Sequence, residues 1–435
     1  MKIKIPSAIK TIGFITIAIA FSKVLGVFRE IVFANFYGTS AVADAFSVAV
    51  KMPTMFFDIA LGTAVLSAFI PVFSDILHKE SKKKALEFAN NFLNIVFLLS
   101  VLVTVIVLVF AKPLTMLIAR NLIDFPLAVS LLYILFPTMI FTAIAYVCVG
   151  ILQSLDEFKI PAIISIVSNL AIIAYLVFFN QYFGIYGVAW AFFIGWLLQI
   201  FVQIPSLIKK GYRWRPIFRI KDPNIMISAK MALPILMSSW VAPICIAINT
   251  YFASGIEGAV AGLGYANRLY VLLTGIFAFA ITNYTLPKMS RASAEGNDEQ
   301  FKSILSKSLL SITALMLPIT IFTMALAEPI IKILFFRGAF DVNSVHATAT
   351  ALFYYSFGML ALGVNEILNK AFIAKKQTKI TMWGAIIGIS ANIGALLIFA
   401  KLGMLSIGTL ALSVAIGSNV NMVFLLGAKK LAMSS

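Results

Sequence analysis

The chain has 435 residues, of which 61% are hydrophobic and only 12% charged, and it carries a formal net charge of +17. Soluble domains are about half apolar and about a quarter charged, so this composition excludes a water-soluble enzyme or regulatory domain and indicates a polytopic membrane protein. No polar stretch is long enough to bury a core of its own, so no separate soluble domain is expected.

The N-terminal "MKIKIPSAIK" is basic and precedes an apolar run, as a secretory signal does. No small-residue cleavage site follows, and a retained first helix is expected. A bilayer-spanning helix needs about 20 apolar residues. Runs of that kind predict twelve helices, at 7–36, 41–75, 88–111, 126–153, 160–181, 185–208, 226–254, 258–287, 303–326, 343–372, 380–400 and 404–428. Gly and Pro punctuate their ends, as in "FYGTS", "FGIYG", "KDPN", "SGIEG" and "RGAF". The expected fold class is all-α, with about twelve transmembrane helices.

Orientation follows from the cations. With the N-terminus inside, 23 of the 34 Lys and Arg fall in segments on that side, 5 on the other and 6 within helices. This positive-inside bias predicts both termini in the cytoplasm. It also accounts for most of the net charge without nucleic acid, because basic loops face the anionic inner leaflet. The loop "KKGYRWRPIFRIKD" (Lys209–Asp222) invites a nucleic-acid or lipid-headgroup reading beside the plainer one, a topology-setting linker.

That linker lies near the middle of an internal repeat. "LDEFKIPAIISIVSNLAII" resembles "AKKQTKITMWGAIIGISANIGALL", and each opens a helix with Lys-Ile and carries Ser and Asn. "LSAFIPVFS" echoes "TNYTLPKMS". The organisation expected is a six-helix lobe at 1–208, a cytoplasmic basic linker at 209–225 and a second six-helix lobe at 226–435. Six helices per copy give both lobes the same orientation, related by a pseudo-two-fold axis along the membrane normal, with the substrate at their interface.

A central Lys, Arg or Asp costs about 2.5–3.5 kcal/mol on insertion scales, so charges inside helices demand a reason. The embedded cations are Lys23, Arg29, Lys51, Lys230, Arg268 and Lys370; the acids are Glu30, Asp44, Asp58 and Glu366. A water-filled cavity with excess positive charge suits an anion, and the planar fork of Arg matches phosphate oxygens. The plainer alternatives are structural Lys23–Glu30 and Lys51–Asp44 pairs and a snorkelling Lys230. In "GVNEILNK", Asn365, Glu366 and Asn369 fit either an ion or gate site or a pairing with Lys370. Cys148 and Cys245 lie in apolar runs and read as packed small residues, and His78 and His346 as surface residues. No metal site and no cofactor are expected.

The stretch "FSKVLGVFREIVFANFYGTSAVADAFSVAVKMP" resembles the first two helices of the MurJ (MviN) family, bacterial flippases of the lipid-linked peptidoglycan precursor. Further similarity lies in "YANRLY", "LPKMSRASAEGN" and "ILFFRGAFD". The resemblance implies a multidrug/oligosaccharidyl-lipid/polysaccharide exporter fold, with two lobes forming a V around a cationic central cavity. It implies transport by alternating access of lipid II, an undecaprenyl-pyrophosphate lipid, driven by an ion gradient or membrane potential. It places Lys23, Arg29, Glu30, Asp44, Lys51 and Arg268 in the substrate-binding cavity. It further implies no enzyme activity, a bacterial inner-membrane location, contact with membrane lipids and cell wall synthesis proteins as partners. Phe57 stands where a third cavity arginine is expected, Asn267 where an acid is, and the family's two further C-terminal helices have no counterpart in these 435 residues. These departures leave open a flippase for another polyprenyl-linked glycan. A cation-coupled drug exporter would prefer an acidic cavity, and a glycan ligase or transferase would need an acidic metal motif or a long outer loop.

Overall fold

A computed structural model describes residues 5–62 and 64–434. Among these every regular element is an α-helix. Lys2 and Lys4, part of the expected N-terminal charge, lie outside the described residues. The first half of the chain forms α1 (Ile5–Tyr37), α2 (Ala41–Ala60), α3 (Ala64–Lys79), α4 (Lys82–Val109), α5 (Ala111–Ala119), α6 (Phe125–Leu135), α7 (Thr138–Ser154), α8 (Lys159–Phe178) and α9 (Asn180–Lys209). The second forms α10 (Pro223–Ser239), α11 (Val241–Ala253), α12 (Ala259–Ala294), α13 (Asp298–Ala325), α14 (Ala327–Phe335), α15 (Val342–Ser356), α16 (Met359–Ala374), α17 (Thr378–Lys401) and α18 (Ile407–Ser434).

Each of the twelve expected helices has a counterpart, but four are divided: α2/α3, α6/α7, α10/α11 and α15/α16. Among the described residues eight helices are long and apolar enough to cross a membrane, or ten if the pairs α2/α3 and α15/α16, each bent by 47°, count as single spans. The other two expected spans are α1 and the divided α10/α11. The short α5 and α14 were not expected. They are nine residues each and follow the 28-residue α4 and α13, so the internal repeat holds at the level of helix lengths.

The chain folds into two compact units. The first comprises the chain to Phe33, Ala45–Arg120 and Asp124–Pro243; the second comprises Ala34–Asp44, Asn121–Ile123 and Ile244–Ser435. Thus α10 belongs to the first unit, where it lies on α3 and α4, and the corner between α1 and α2 belongs to the second. In the first unit α8 runs against α9, and Gln199 Nε2 on α9 donates to Ser168 Oγ on α8 at 2.9 Å. In the second, α12 is surrounded by α13, α15 and α16, with Phe301, Leu305, Ile312, Met316, Ile367 and Leu368 in the core.

Helix breaks release backbone carbonyls that lipid cannot satisfy. Side chains from other helices take them up. Trp240 Nε1 donates to Ile59 O at 2.7 Å and Ser239 Oγ to Asp58 O at 3.2 Å, at the end of α2. At the α15/α16 bend, Asn419 Nδ2 donates to Phe357 O and the Tyr270 hydroxyl to Gly358 O. Outward faces such as that of α4 remain apolar, with Leu98, Leu102 and Ile106 exposed, as lipid contact requires.

Small residues set the closest helix approach. A Cβ on Gly388 of α17 would lie 2.8 Å from the Gly417 carbonyl of α18, and one on Gly417 would lie 2.6 Å from the Gly388 carbonyl. Gly394, also on α17, has open space around it. Gly417→Leu should therefore destabilise the purified protein by about 1–3 kcal/mol or more, read as a lowered Tm in detergent, while Gly394→Leu leaves Tm near wild type.

Candidate functional site

The charged stretch of α1 falls in the first unit. Arg29 Nη1 donates to Asn169 Oδ1 on α8 at 3.0 Å, and Nη2 to Glu30 Oε1 at 2.6 Å. Its guanidinium carbon lies 4.9 Å from the centroid of Phe192 on α9. Asn169 is itself oriented, because its Nδ2 donates to Ser165 O. Phe192 meets Phe46 of α2 edge-on at 5.3 Å, and Phe46 in turn meets Phe33 of α1. Four helices thus fix the plane of one guanidinium. Two of its five N–H groups serve Asn169 and Glu30, and the ring face adds a cation–π contact of about 0.5–2 kcal/mol. Lys23 is exposed on the same helix, and Lys51 on α2 is half-buried. Phe57, where a cationic residue was expected by resemblance, is buried against Tyr146, with ring centroids 5.2 Å apart.

Asp44 has a different task from the one its charge suggested. It is 3% exposed, and its carboxylate accepts the backbone N–H groups of Gly258 at 2.7 Å and Ala261 at 2.8 Å. Gly258 is the N-cap of α12 and has no side chain to cap with. A carboxylate from 214 residues earlier therefore caps the helix, with its negative charge at the positive end of the dipole. Asp44, placed by resemblance in the substrate-binding cavity, is buried at this helix start. Gly258 is required there: its φ is +74°, and a Cβ would lie 2.5 Å from Thr39 O.

The corner around Asp44 draws on three of the four segments that carry the family resemblance. Ala339 N donates to Asn35 O at 2.8 Å, the Tyr265 hydroxyl donates to Gly38 O at 3.0 Å, and the Thr39 and Ser344 hydroxyls are 2.8 Å apart. Gly338 approaches Asn35 so closely that a Cβ would lie 2.2 Å from its carbonyl oxygen. Asp341 caps α15 by accepting Ser344 N at 2.8 Å, and these N–H bonds hold its carboxyl below the usual carboxylate range. Residues 35–44, 258–265 and 338–344 thus form one interlock in the second unit.

Arg268 stands exposed on α12, three residues after Tyr265. On α16, Lys370 and Glu366 form an i,i+4 pair at 3.5 Å, one of the two alternatives for that cluster. Asn365 Nδ2 donates to Ser418 O at 2.9 Å, while the buried Oδ1 atoms of Asn365 and Asn369 accept no hydrogen bond among the described residues. Among the described residues no cluster of His, Cys, Asp and Glu has the make-up of a metal site.

Sequence reasoning missed Asn169 and Phe192, the groups that orient Arg29. Asn169 was visible only as a repeat marker. A buried amide in an apolar helix was the available signal, since such a group needs a partner.

The sequence profile of the family described as "Lipid II flippase MurJ" matches residues 33–433. The chain belongs to the MurJ family. A "Probable lipid II flippase MurJ" of Buchnera aphidicola subsp. Acyrthosiphon pisum is 29% identical over 419 residues, covering 94% of this chain and 81% of that protein. Among solved structures, a lipid II flippase MurJ in an inward closed conformation superposes with a TM-score of 0.84 at 26% identity, covering 96% of this chain and 87% of that one. An inward-facing multidrug resistance MATE transporter of the MOP superfamily shares the fold, with a TM-score of 0.81 at 16% identity over 95% of this chain and 94% of that one. Membership explains why the MurJ-like motifs cluster: they build the interlock around Asp44 as well as the Arg29 site.

Asp44→Asn keeps the size but removes the charge and one acceptor. Charge-assisted hydrogen bonds contribute about 1.5–3 kcal/mol. The expected result is faster hydrogen exchange at the Gly258 and Ala261 amides and a lower Tm, with exchange in α17 unchanged.

Proposed function

We propose that the chain is a flippase that moves lipid II, the undecaprenyl-pyrophosphate-linked peptidoglycan precursor, from the inner to the outer leaflet of the bacterial cytoplasmic membrane. The observation that carries this reading is the MurJ family match across residues 33–433. The geometry of Arg29 supports it. A guanidinium held edge-on by Asn169 and Glu30 and face-on by Phe192 is pre-oriented for an anionic oxygen, so little side-chain entropy is lost on binding. Arg268, exposed on α12, is a second candidate cation for the pyrophosphate, and Lys23 and Lys51 are further candidates for its charge.

Transport follows alternating access, and the positive-inside bias supports a topology with both termini in the cytoplasm. On that topology the interlock of residues 35–44, 258–265 and 338–344 lies on the outer side and parts when the outward path opens. Substrate must bind the two states unequally for the cycle to advance, because a ligand held equally well in both shifts nothing. An ion gradient or the membrane potential supplies the drive. The unfilled acceptors of Asn365 and Asn369, beside Glu366 and Lys370, are the candidate ion or gate site. The MATE-like fold does not by itself set the substrate, and the excess of embedded cations favours an anion over a cationic drug.

The test is complementation of a bacterium depleted of its own lipid II flippase, reading lipid II accessible on the outer leaflet at matched expression. Wild type is expected to rescue, while Arg29→Ala and Arg268→Ala each lose most of the flipping yet remain inserted. A well-inserted wild type that fails to rescue would point to another polyprenyl-linked glycan. Rescue by both variants would overturn the assignment of these two arginines to the substrate.

A further inference from the structure

The basic loop between α9 and α10 is a built surface in the first unit. Three asparagines on one face of α4 bind its backbone as a neighbouring strand would. Asn90 donates to Arg213 O at 3.2 Å and accepts Arg215 N at 2.8 Å. Asn94 donates to Arg215 O and Ile217 O, and Asn91 both donates to Arg219 O and accepts Arg219 N. The loop is thereby fixed over residues 213–219 with no secondary structure of its own. Tyr212 is buried at its start, and Trp214 Nε1 donates to Asn94 Oδ1.

With the backbone held inward, the side chains turn out. Arg213, Arg215, Arg219 and Lys221 are exposed, and Trp214, Phe218 and Ile220 between them are exposed as well. Lys82 reaches beside Gly211, and Lys83 is exposed next to it. Of the nearby acids, Glu80 pairs with Lys84 and Asp222 caps α10, while Glu87, half-buried one turn before Asn90 and Asn91 on α4, is a single negative charge against this row of cations. Those lysines occupy the first turn of α4, where the helix dipole disfavours cations. A flexible tether would need none of this. Three amides hold an arginine ladder whose rungs alternate with apolar side chains, at the ends of two membrane-crossing helices.

We propose that this ladder is a binding surface for anionic phospholipid headgroups of the leaflet it faces. The arginines pair with headgroup phosphates, while Trp214, Phe218 and Ile220 sit at the boundary with the acyl chains. Placing that leaflet on the cytoplasmic side rests on the topology proposed above. The lipid contact does not.

The full chain in phosphatidylcholine nanodiscs, whose two faces are alike, tests this without lipid II, so the outcome is independent of the transport reading. Titration with fluorescent phosphatidylglycerol should show a preference of about tenfold or more over fluorescent phosphatidylcholine, shrinking with salt. Arg213→Gln, Arg215→Gln and Arg219→Gln together should abolish the preference. These residues are exposed, so the variant folds. Asn90→Ala with Asn94→Ala should weaken the preference severalfold with every charge kept. Equal affinity of wild type for the two lipids, or an undiminished preference in the arginine variant, would overturn the proposal. So would tighter binding per phosphate of an RNA oligonucleotide at the same arginines.

Discussion

The constraint on which the rest of the structure depends is that lipid offers no partner to a backbone N–H or C=O. An unbroken helix meets this internally. This chain breaks its helices repeatedly, and at several of these places a side chain from elsewhere closes the gap. Trp240 and Ser239 serve the end of α2, Asn419 and Tyr270 serve the α15/α16 bend, and Asp44 serves the start of α12. The Tyr175 hydroxyl does the same for Gly184 O, where α9 turns out of helical geometry. Breaks maintained in this way are places where a helix can bend without unfolding.

The same constraint sorts the polar residues by task. Some buried polar groups from elsewhere in the chain bond to backbone at a helix end or break. Asp44 is of this kind despite its charge. Arg29 differs, because its bonds run to the side chains of Asn169 and Glu30 and its face rests on an aromatic ring. Those contacts orient a cation. The distinction is between Arg29, whose plane is fixed by other side chains, and Asp44, which closes the start of α12.

Much of this was legible in the sequence, at the level where information is local. Apolar runs located helical segments, eight to ten of them long and apolar enough to cross a membrane among the described residues, and the matched lengths of α4/α5 and α13/α14 echo the repeat. The divisions within helices were not legible. Whether a Gly or Pro breaks a run depends on whether a remote side chain mends it, and Trp240 lies 181 residues from the carbonyl it serves. Arg29 stood out because charge in an apolar run is costly. Asn169 did not, since a neutral amide in a helix carries little signal until its partner is known. Asp44 was found by its charge, but its capping of α12 was not legible, because that helix end comes from the other half of the chain.

The transport cycle proposed above makes one demand that reaches the interlock directly: on that proposal the corner at residues 35–44 separates from 258–265 and 338–344 as substrate leaves outward. Thr39 and Ser344, whose hydroxyls touch at 2.8 Å, are the pair to tether. The most direct measurement is lipid II flipping by a Thr39→Cys/Ser344→Cys protein, with Cys148 and Cys245 replaced, before and after oxidation and again after reduction. The account predicts that the disulfide arrests flipping and that reduction restores it. Flipping at an undiminished rate by fully cross-linked protein would contradict it.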